Sequence, residues 1–426
     1  MNLNPESSKE ELLGKLIKLV LIVIGICAAA GTANAQTPTH RGFLYADDYC
    51  TIQNNVPIYD QNCIQEAINA AVSGSTIFVG PSYILTGAST HGDGKSIISI
   101  NKTIKLDCGT WTGDQTKGLS VASNVATNID VIRISGDNAG FANPNLEGIE
   151  IHGCQILAAS GTPARYPLTI DSTNAIISKL KLDHNFFGLL GGGHAIYSTN
   201  SSSNSQFFTS WIEYNVLLGG IQLNGAGDSI DIQHNVIPGP GMGVDINFFS
   251  GAALLTVAFN NITTLGGCIH LGANTTQAKV LYNQCEGTTA ETGSNGAIVD
   301  IDGSTSNPGD LIEVTGNRIA PVASTLNAVR VNAARATHIH DNYVARPSPN
   351  AVEYVVTSNA DSTYIDNNME FPFGDSPCNV VIRNINLGTR FTRLGGFVNG
   401  CNGATPFSTT GTDPTDSGVL IPFYNP

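Results

Sequence analysis

Charge is scarce in this chain of 426 residues: Asp, Glu, Lys and Arg make up 13% of it, and Phe, Trp and Tyr only 7%. So few charges argue against long exposed helices laced by ion pairs, and no heptad pattern is visible. The balance is acidic, with a formal net charge of −14 and no basic tail or arginine-rich block. That excludes nucleic-acid binding through phosphates and leaves no handle for a membrane surface. No Cys-x-x-Cys pair occurs among the nine cysteines, so a zinc or redox centre of that kind is not expected. Glycine, by contrast, is plentiful at 46 residues, which suits many short strands joined by turns.

Residues 1–35 read as a secretory signal. Lys15 and Lys18 precede the apolar run Leu19 to Ala30, and Ala33-Asn34-Ala35 supplies a small-x-small cleavage site. The run is too short to favour a spanning helix, and no later stretch approaches the roughly 20 apolar residues one needs. Removing this segment deletes Glu6, Glu10 and Glu11 along with Lys9, Lys15 and Lys18, so the remaining chain keeps its −14. Without Cys27, eight cysteines remain, an even number in a protein expected to be secreted, either extracellular or periplasmic. Proximity in sequence favours Cys50 with Cys63, Cys268 with Cys285 and Cys378 with Cys401, leaving Cys108 and Cys154, among 105 possible connectivities.

Residues 62–72 place apolar groups at Ile64, Ala67, Ile68, Ala71 and Val72, the spacing of one helical face. Asp60 or Asn62 can cap this helix and Ser73-Gly74 ends it; strands are expected at Thr76 to Val79 and Tyr83 to Leu85. The order helix, glycine, Val-containing strand, Pro81 and Tyr83 with aliphatics resembles the start of right-handed parallel β-helix proteins of the pectate lyase and polygalacturonase-like superfamily. It covers about residues 45–87. The resemblance implies an all-β solenoid whose open N-terminal end is covered by the short helix.

A repeat visible without that comparison supports the same fold. The motif apolar-x-apolar-x-x-Asn-x-apolar appears at Leu180-Lys181-Leu182-Asp183-His184-Asn185-Phe186-Phe187 and Ile230-Asp231-Ile232-Gln233-His234-Asn235-Val236-Ile237. It recurs around Asn215, Asn260, Asn283, Asn317, Asn342 and Asn367, and more weakly around Cys154. Starting at Cys154, the spacings are 31, 30, 20, 25, 23, 34, 25 and 25 residues, as expected of coils with fixed strands and variable loops. Asparagine tolerates the left-handed conformation of a tight bend, and its amide can bond from coil to coil, so this column is read as structural. The preceding residues His184, Tyr214, His234, Phe259 and Tyr282 form a second column, read as packing. The solenoid is expected to span residues 36–370, with an irregular C-terminal cap over 371–426 that includes Cys378 and Cys401.

Each coil adds a strand with apolar residues at alternate places, such as Ile221-Gln222-Leu223-Asn224, Val244-Asp245-Ile246-Asn247 and Val299-Asp300-Ile301-Asp302. Alternation sends the intervening residues outward. Stacking them predicts a solvent-facing column of Arg133, Thr169, Tyr197, Gln222, Asp245, His270, Asp300, Arg330 and Glu353. Loops around Pro238 to Pro240, Asn247 to Gly251, Gly287 to Gly296 and Gly303 to Gly309 are expected to wall a groove. Gly192-Gly193-His194 precedes its strand and is placed in a turn. Sequons stand at Asn101, Asn200, Asn261 and Asn274.

Asp245 and Asp300 sit two rungs apart, about 9.6 Å between backbones at the usual strand spacing. An inverting glycosidase holds its two carboxyls about 6.5–9.5 Å apart, so the pair suits inversion better than retention. His270 between them can tune a proton and Arg330 can hold a substrate oxygen. Tyr197, Gln222, Asn224, Asn247, Asp302 and Asn332 are the candidate substrate contacts. The polygalacturonase-like resemblance implies Asn-Thr-Asp, Asp-Asp, Gly-His-Gly and Arg-Ile-Lys on successive coils. The counterparts are Gln222 with Asn224, Asp245, Cys268-Ile269-His270-Leu271-Gly272 and Arg330-Val331-Asn332, none a full match. A pectate-lyase-like alternative places calcium on Asp300 and Asp302 beside Arg330. Hydrolysis itself calls for no cofactor. A third alternative is a polysaccharide-binding or adhesin-like protein without turnover, and a fourth an ion-pair ladder on a solvated sheet. The expected partner is a polysaccharide, and the chain is expected to be a monomer.

Overall fold

The computed structural model describes residues 42–80, 82–109, 118–136, 145–158, 161, 164–173, 175–188, 190–199, 206–287, 296–303, 308–321, 327–346, 354–357, 360–366, 368–372, 380–384, 392–395, 398–399 and 405–409. The expected signal segment, Asn200, Glu353, Cys378, Cys401, and the loop stretches 288–295 and 304–307 lie outside the described residues.

The chain winds as a right-handed parallel β-helix with three strand-bearing faces. One face carries the strands that precede each asparagine bend, among them Glu150–His152, Lys181–Asp183, Lys279–Leu281 and Ala334–His340. The second, a 12-stranded sheet, follows the bend and runs from Ser82–Leu85 to Val398–Asn399. The third carries the polar column, from Ser96–Ile100 through His194–Ser198, Ile269–Leu271, Ala297–Asp302 and Asn327–Asn332. Gly220–Gln233 and Val244–Ala258 run unbroken from this third face into the first face of the next coil. Inside, aliphatic residues stack rung on rung: Ile221, Val244, Ile269, Val299 and Val329 pair in turn, and all have 0% exposure.

The asparagine ladder is continuous and buried. The Asn215 side-chain oxygen accepts from the backbone N–H and side-chain amide of Asn185 at 2.9 and 3.0 Å, and its own amide donates to Leu182 O and to Asn235 Oδ1. The same four-bond pattern repeats through Asn235, Asn260, Asn283 and Asn317 to Asn342. Two expectations change here. Among the described residues the last rung is Asn368, which accepts from Asn342, and not its neighbour Asn367. The left-handed bend sits one residue earlier than expected, on His184, Tyr214, His234, Phe259 and Tyr282, with φ between 54° and 57°. The asparagines are needed for their amides, not for their backbone tolerance. Those bend residues stack as exposed rings, with centroids 5.3, 4.9, 5.1 and 5.3 Å apart from His184 to Tyr282.

The helix spans Gln61–Ala70 and is capped by the Asp60 side chain, which accepts from Asn62 N at 2.9 Å. It buries Cys63, Ile64, Ala67 and Ile68, but stops before Val72, which is 70% exposed and not on the packed face as expected. Gln65, 2% exposed, docks the helix onto the first column strand, donating to Ser99 O and accepting from Ser99 N. A primary amide thereby substitutes for a missing coil, closing the sheet edge with both bonds a neighbouring strand would make. Gln65→Ala strands two buried backbone groups and is expected to cost about 2–4 kcal/mol, read as a lower urea midpoint at unchanged m.

Disulfides join Cys50 to Cys63 and Cys108 to Cys154, two of the expected pairs. Cys268 and Cys285, expected as a pair, are buried free thiols, the Cys268 Sγ donating to Ile262 O at 3.7 Å; burial and the neighbouring Cys285 thiol push the Cys268 thiol well up. Parallel pairing continues past residue 370, where the sequence predicts an irregular cap: Val380–Asn384 pairs with Tyr354–Val356, and Thr405–Thr409 pairs with Val380–Asn384. Among the described residues no helix is long and apolar enough to cross a membrane.

Candidate functional site

The register places the polar column as the alternation predicts over eight rungs: Arg133, Thr169, Tyr197, Gln222, Asp245, His270, Asp300 and Arg330 pair in that order. The ninth rung differs. Arg330 pairs with Val355, because the strand occupies Tyr354–Val356, two residues later than a Glu353 rung requires.

The column is not a solvated stripe. The side chain of Asp300 is 0% exposed, that of His270 10%, Asp245 14%, Arg330 16% and Asp302 31%. Buried charges persist only where they are paired, and these are. Asp245 Oδ1 lies 2.6 Å from His270 Nδ1 and accepts from Asn247 Nδ2 at 2.8 Å, while its Oδ2 accepts from Gln222 Nε2 at 3.0 Å. Arg330 Nη1 donates to Asp300 Oδ1 at 2.8 Å and to Asp302 Oδ1 at 3.1 Å. Asn332 donates to Asp302 Oδ1 at 2.7 Å and accepts from Thr357 at 2.6 Å. Six of the sequence-predicted residues, Gln222, Asp245, His270, Asp300, Asp302 and Arg330, thus form one connected patch, with Asn247 and Asn332 at its edge. Asn224 is turned away from it, holding Ser198 through its backbone N–H and side-chain amide.

His270 is the centre of the patch. Its Nε2 is buried and has no hydrogen-bond partner, and one of its ring nitrogens lies within 4.8 Å of oxygens of both Asp300 and Asp302. Burial lowers its pKa, but the Asp245 hydrogen bond and charge, with the charges of Asp300 and Asp302, outweigh that and hold it above the ordinary imidazole value. A proton-bearing ring aimed from one carboxylate toward two others can deliver that proton to a bound oxygen.

An aromatic shelf flanks the patch. Tyr197 stacks on Tyr166 at 4.4 Å with planes 10° apart, and Arg165 lies 5.1 Å from the Tyr166 ring centre while gripping Asp130 at 2.7 and 2.8 Å. Tyr166 was not among the residues expected from the sequence. It lies just outside the alternating strand Leu168–Asp171, on the coil whose Thr169 pairs with Tyr197, and its ring stacks on Tyr197 of the next coil. Gly192 makes room for it: a Cβ there would sit 2.1 Å from the Tyr166 ring and 2.7 Å from the Arg165 carbonyl oxygen. His194, expected in a turn, begins the strand His194–Ser198; burial lowers its pKa, and the Asp245 charge acts on it in the opposite sense.

Calcium fits this donor set poorly. Calcium takes six to eight oxygen ligands, whereas here two carboxylates share an arginine and the third nearby donor is an imidazole.

No family model and no curated protein matches the chain. Solved structures match its fold. The A-module of mannuronan C-5 epimerase AlgE4 from Azotobacter vinelandii has 14% identity, over 88% of this chain and 100% of its own, with a TM-score of 0.50. DFA-IIIase from Arthrobacter chlorophenolicus A6 without its lid has 12% identity over 76% and 94%, with a TM-score of 0.51. The Dettilon tailspike protein has 12% identity over 83% and 68%, also at 0.51. At such identities the likeness is one of fold: this chain is a parallel β-helix.

Proposed function

We propose that the chain is a polysaccharide-active enzyme that hydrolyses a glycosidic bond over the column, with inversion. The observation that carries this reading is the buried, unpartnered His270 Nε2, set between the Asp245 carboxylate and the pair Asp300 and Asp302. One of the similar structures is named for action on mannuronan, a polysaccharide, which agrees with it.

In this reading the two working carboxylates are Asp245 and Asp302. Asp300, wholly buried with Arg330 on its oxygen, positions the guanidinium. Asp302, the more exposed of the two at 31% and within 4.8 Å of a His270 ring nitrogen, takes the proton of the attacking water as general base. His270, protonated and braced by Asp245, gives its proton to the leaving oxygen. Arg330 holds a substrate hydroxyl or carboxylate, and the Tyr166 and Tyr197 shelf supports a neighbouring ring.

The test is a panel of neutral and uronate polysaccharides assayed in parallel for new reducing ends and for ultraviolet absorbance of unsaturated products. Reducing ends without absorbance, unaffected by a chelator, are expected. Chelator-sensitive absorbance would replace hydrolysis with β-elimination, and retention of a polymer in an affinity gel without any product would leave a binding protein.

A further inference from the structure

A second cluster lies outside the column, on the face that precedes the asparagine bend. His152 ends the strand Glu150–His152 and pairs directly with Asp183, which ends Lys181–Asp183 on the next coil. His184 follows at the left-handed bend, so its ring turns back toward the same carboxylate. The two Nδ1 atoms lie 3.0 and 3.1 Å from one oxygen, Asp183 Oδ2, and Lys181 Nζ lies 3.3 Å from it. Three donors crowd that oxygen while the other, Oδ1, is buried without a partner on a residue only 4% exposed. For hydrogen bonding alone this is a poor use of a buried carboxylate.

We propose that His152, His184 and Asp183 form a binding site for a first-row divalent transition ion of the zinc or copper class. Such an ion holds imidazole nitrogen at about 2.0–2.1 Å and carboxylate oxygen at about 2.0–2.2 Å, which sets tetrahedral ligands about 3.3 Å apart. The donor atoms here already lie within 4.8 Å of one another, and both His–Asp pairs are near that separation. Two imidazoles select against calcium and magnesium, which take oxygen. The His184 side chain is 57% exposed and that of His152 27%, so the fourth position opens to water. Lys181 can swing to Glu150, 4.0 Å away, when the ion takes its place. The ring stack on Tyr214, 5.3 Å from His184, orients that ligand as a bound partner would. The ion would clamp two successive coils, beside the coil pair that the Cys108–Cys154 disulfide joins.

Two other groups mark the contrast. His338, His340 and Asp366 share no such buried oxygen, their imidazoles being occupied by Asp366, Glu313 and Asp341. His270 belongs to the column.

The test uses the full tag-free chain, stripped with a chelator and titrated with zinc chloride by calorimetry, with Co²⁺ visible spectra to report nitrogen ligation. One site is expected, accompanied by a rise in Tm. His184→Ala and His152→Ala should each weaken zinc at least about tenfold, as even the loss of an outer-shell partner can, and should abolish the Tm rise; His338→Ala should not. His184 is exposed enough that its removal leaves the fold intact. Absence of zinc binding, or binding unchanged in the His152→Ala/His184→Ala double variant, overturns the site.

Discussion

Asp245→Asn is expected to lower turnover by about 10²–10⁴-fold, the range for loss of a positioned acid or base. The substitution is isosteric, but Gln222 and Asn247 donate to different oxygens of Asp245, so one of them must turn its own amide to accept from the new NH2 group, and a small loss of stability is expected beside the loss of turnover. It removes the Asp245 charge, the largest of the influences that raise the His270 pKa, leaving only the charges of Asp300 and Asp302 to oppose burial. A step that needs protonated His270 is then lost at lower pH. The alkaline limb of kcat/KM, expected above the ordinary imidazole range in the native protein, should move down in the variant. Asp302→Asn should also impair turnover. Asp300→Asn should act differently, raising KM through a displaced Arg330 and lowering stability, since Asp300 is wholly buried against it. Full activity in Asp245→Asn would remove the column from the chemistry.

Asn235→Leu should be among the most damaging changes to the fold. It deletes the acceptor for Asn215 N and Nδ2, and the donor to Ile212 O and Asn260 Oδ1. At least three buried polar groups lose a partner, at about 1–3 kcal/mol each, so a loss of about 3–9 kcal/mol is expected in denaturant unfolding. In a solenoid whose coils contact only their neighbours, the break also uncouples the two halves, so the transition should broaden or split. A sharp transition with a loss below about 1 kcal/mol would show that the ladder bonds are replaceable by water.

The solenoid was legible because two periodicities coincide in the sequence. Alternation in strands such as Val299-Asp300-Ile301-Asp302 gives the facing, and the asparagine gives the phase. Where either signal is ambiguous the reading slips. Asn367 and Asn368 both suit the motif, and only the coil-to-coil bond from Asn342 selects the second. Val352 to Val356 alternates only at its start, and the pairing moved the rung to Val355. Alternation predicts which way a side chain points, but not what lies over it. Asp300 points outward as expected and is nonetheless buried, because its partner Arg330 comes from another coil. Tyr166 was missed for the same reason, since it reaches its rung from outside the strand.

The asparagine ladder also has an electrical sense. Every rung from Asn185 to Asn342 turns its Oδ1 toward the preceding coil and its amide nitrogen toward the next. These side-chain dipoles therefore add head to tail along the solenoid axis, as peptide dipoles do along a helix, and each bond polarises the next. The negative pole meets the Cys154 N–H and the positive pole lies toward Asn368. A buried electrostatic axis thus runs the length of the coil, with a fixed direction that a flipped amide anywhere along it would oppose.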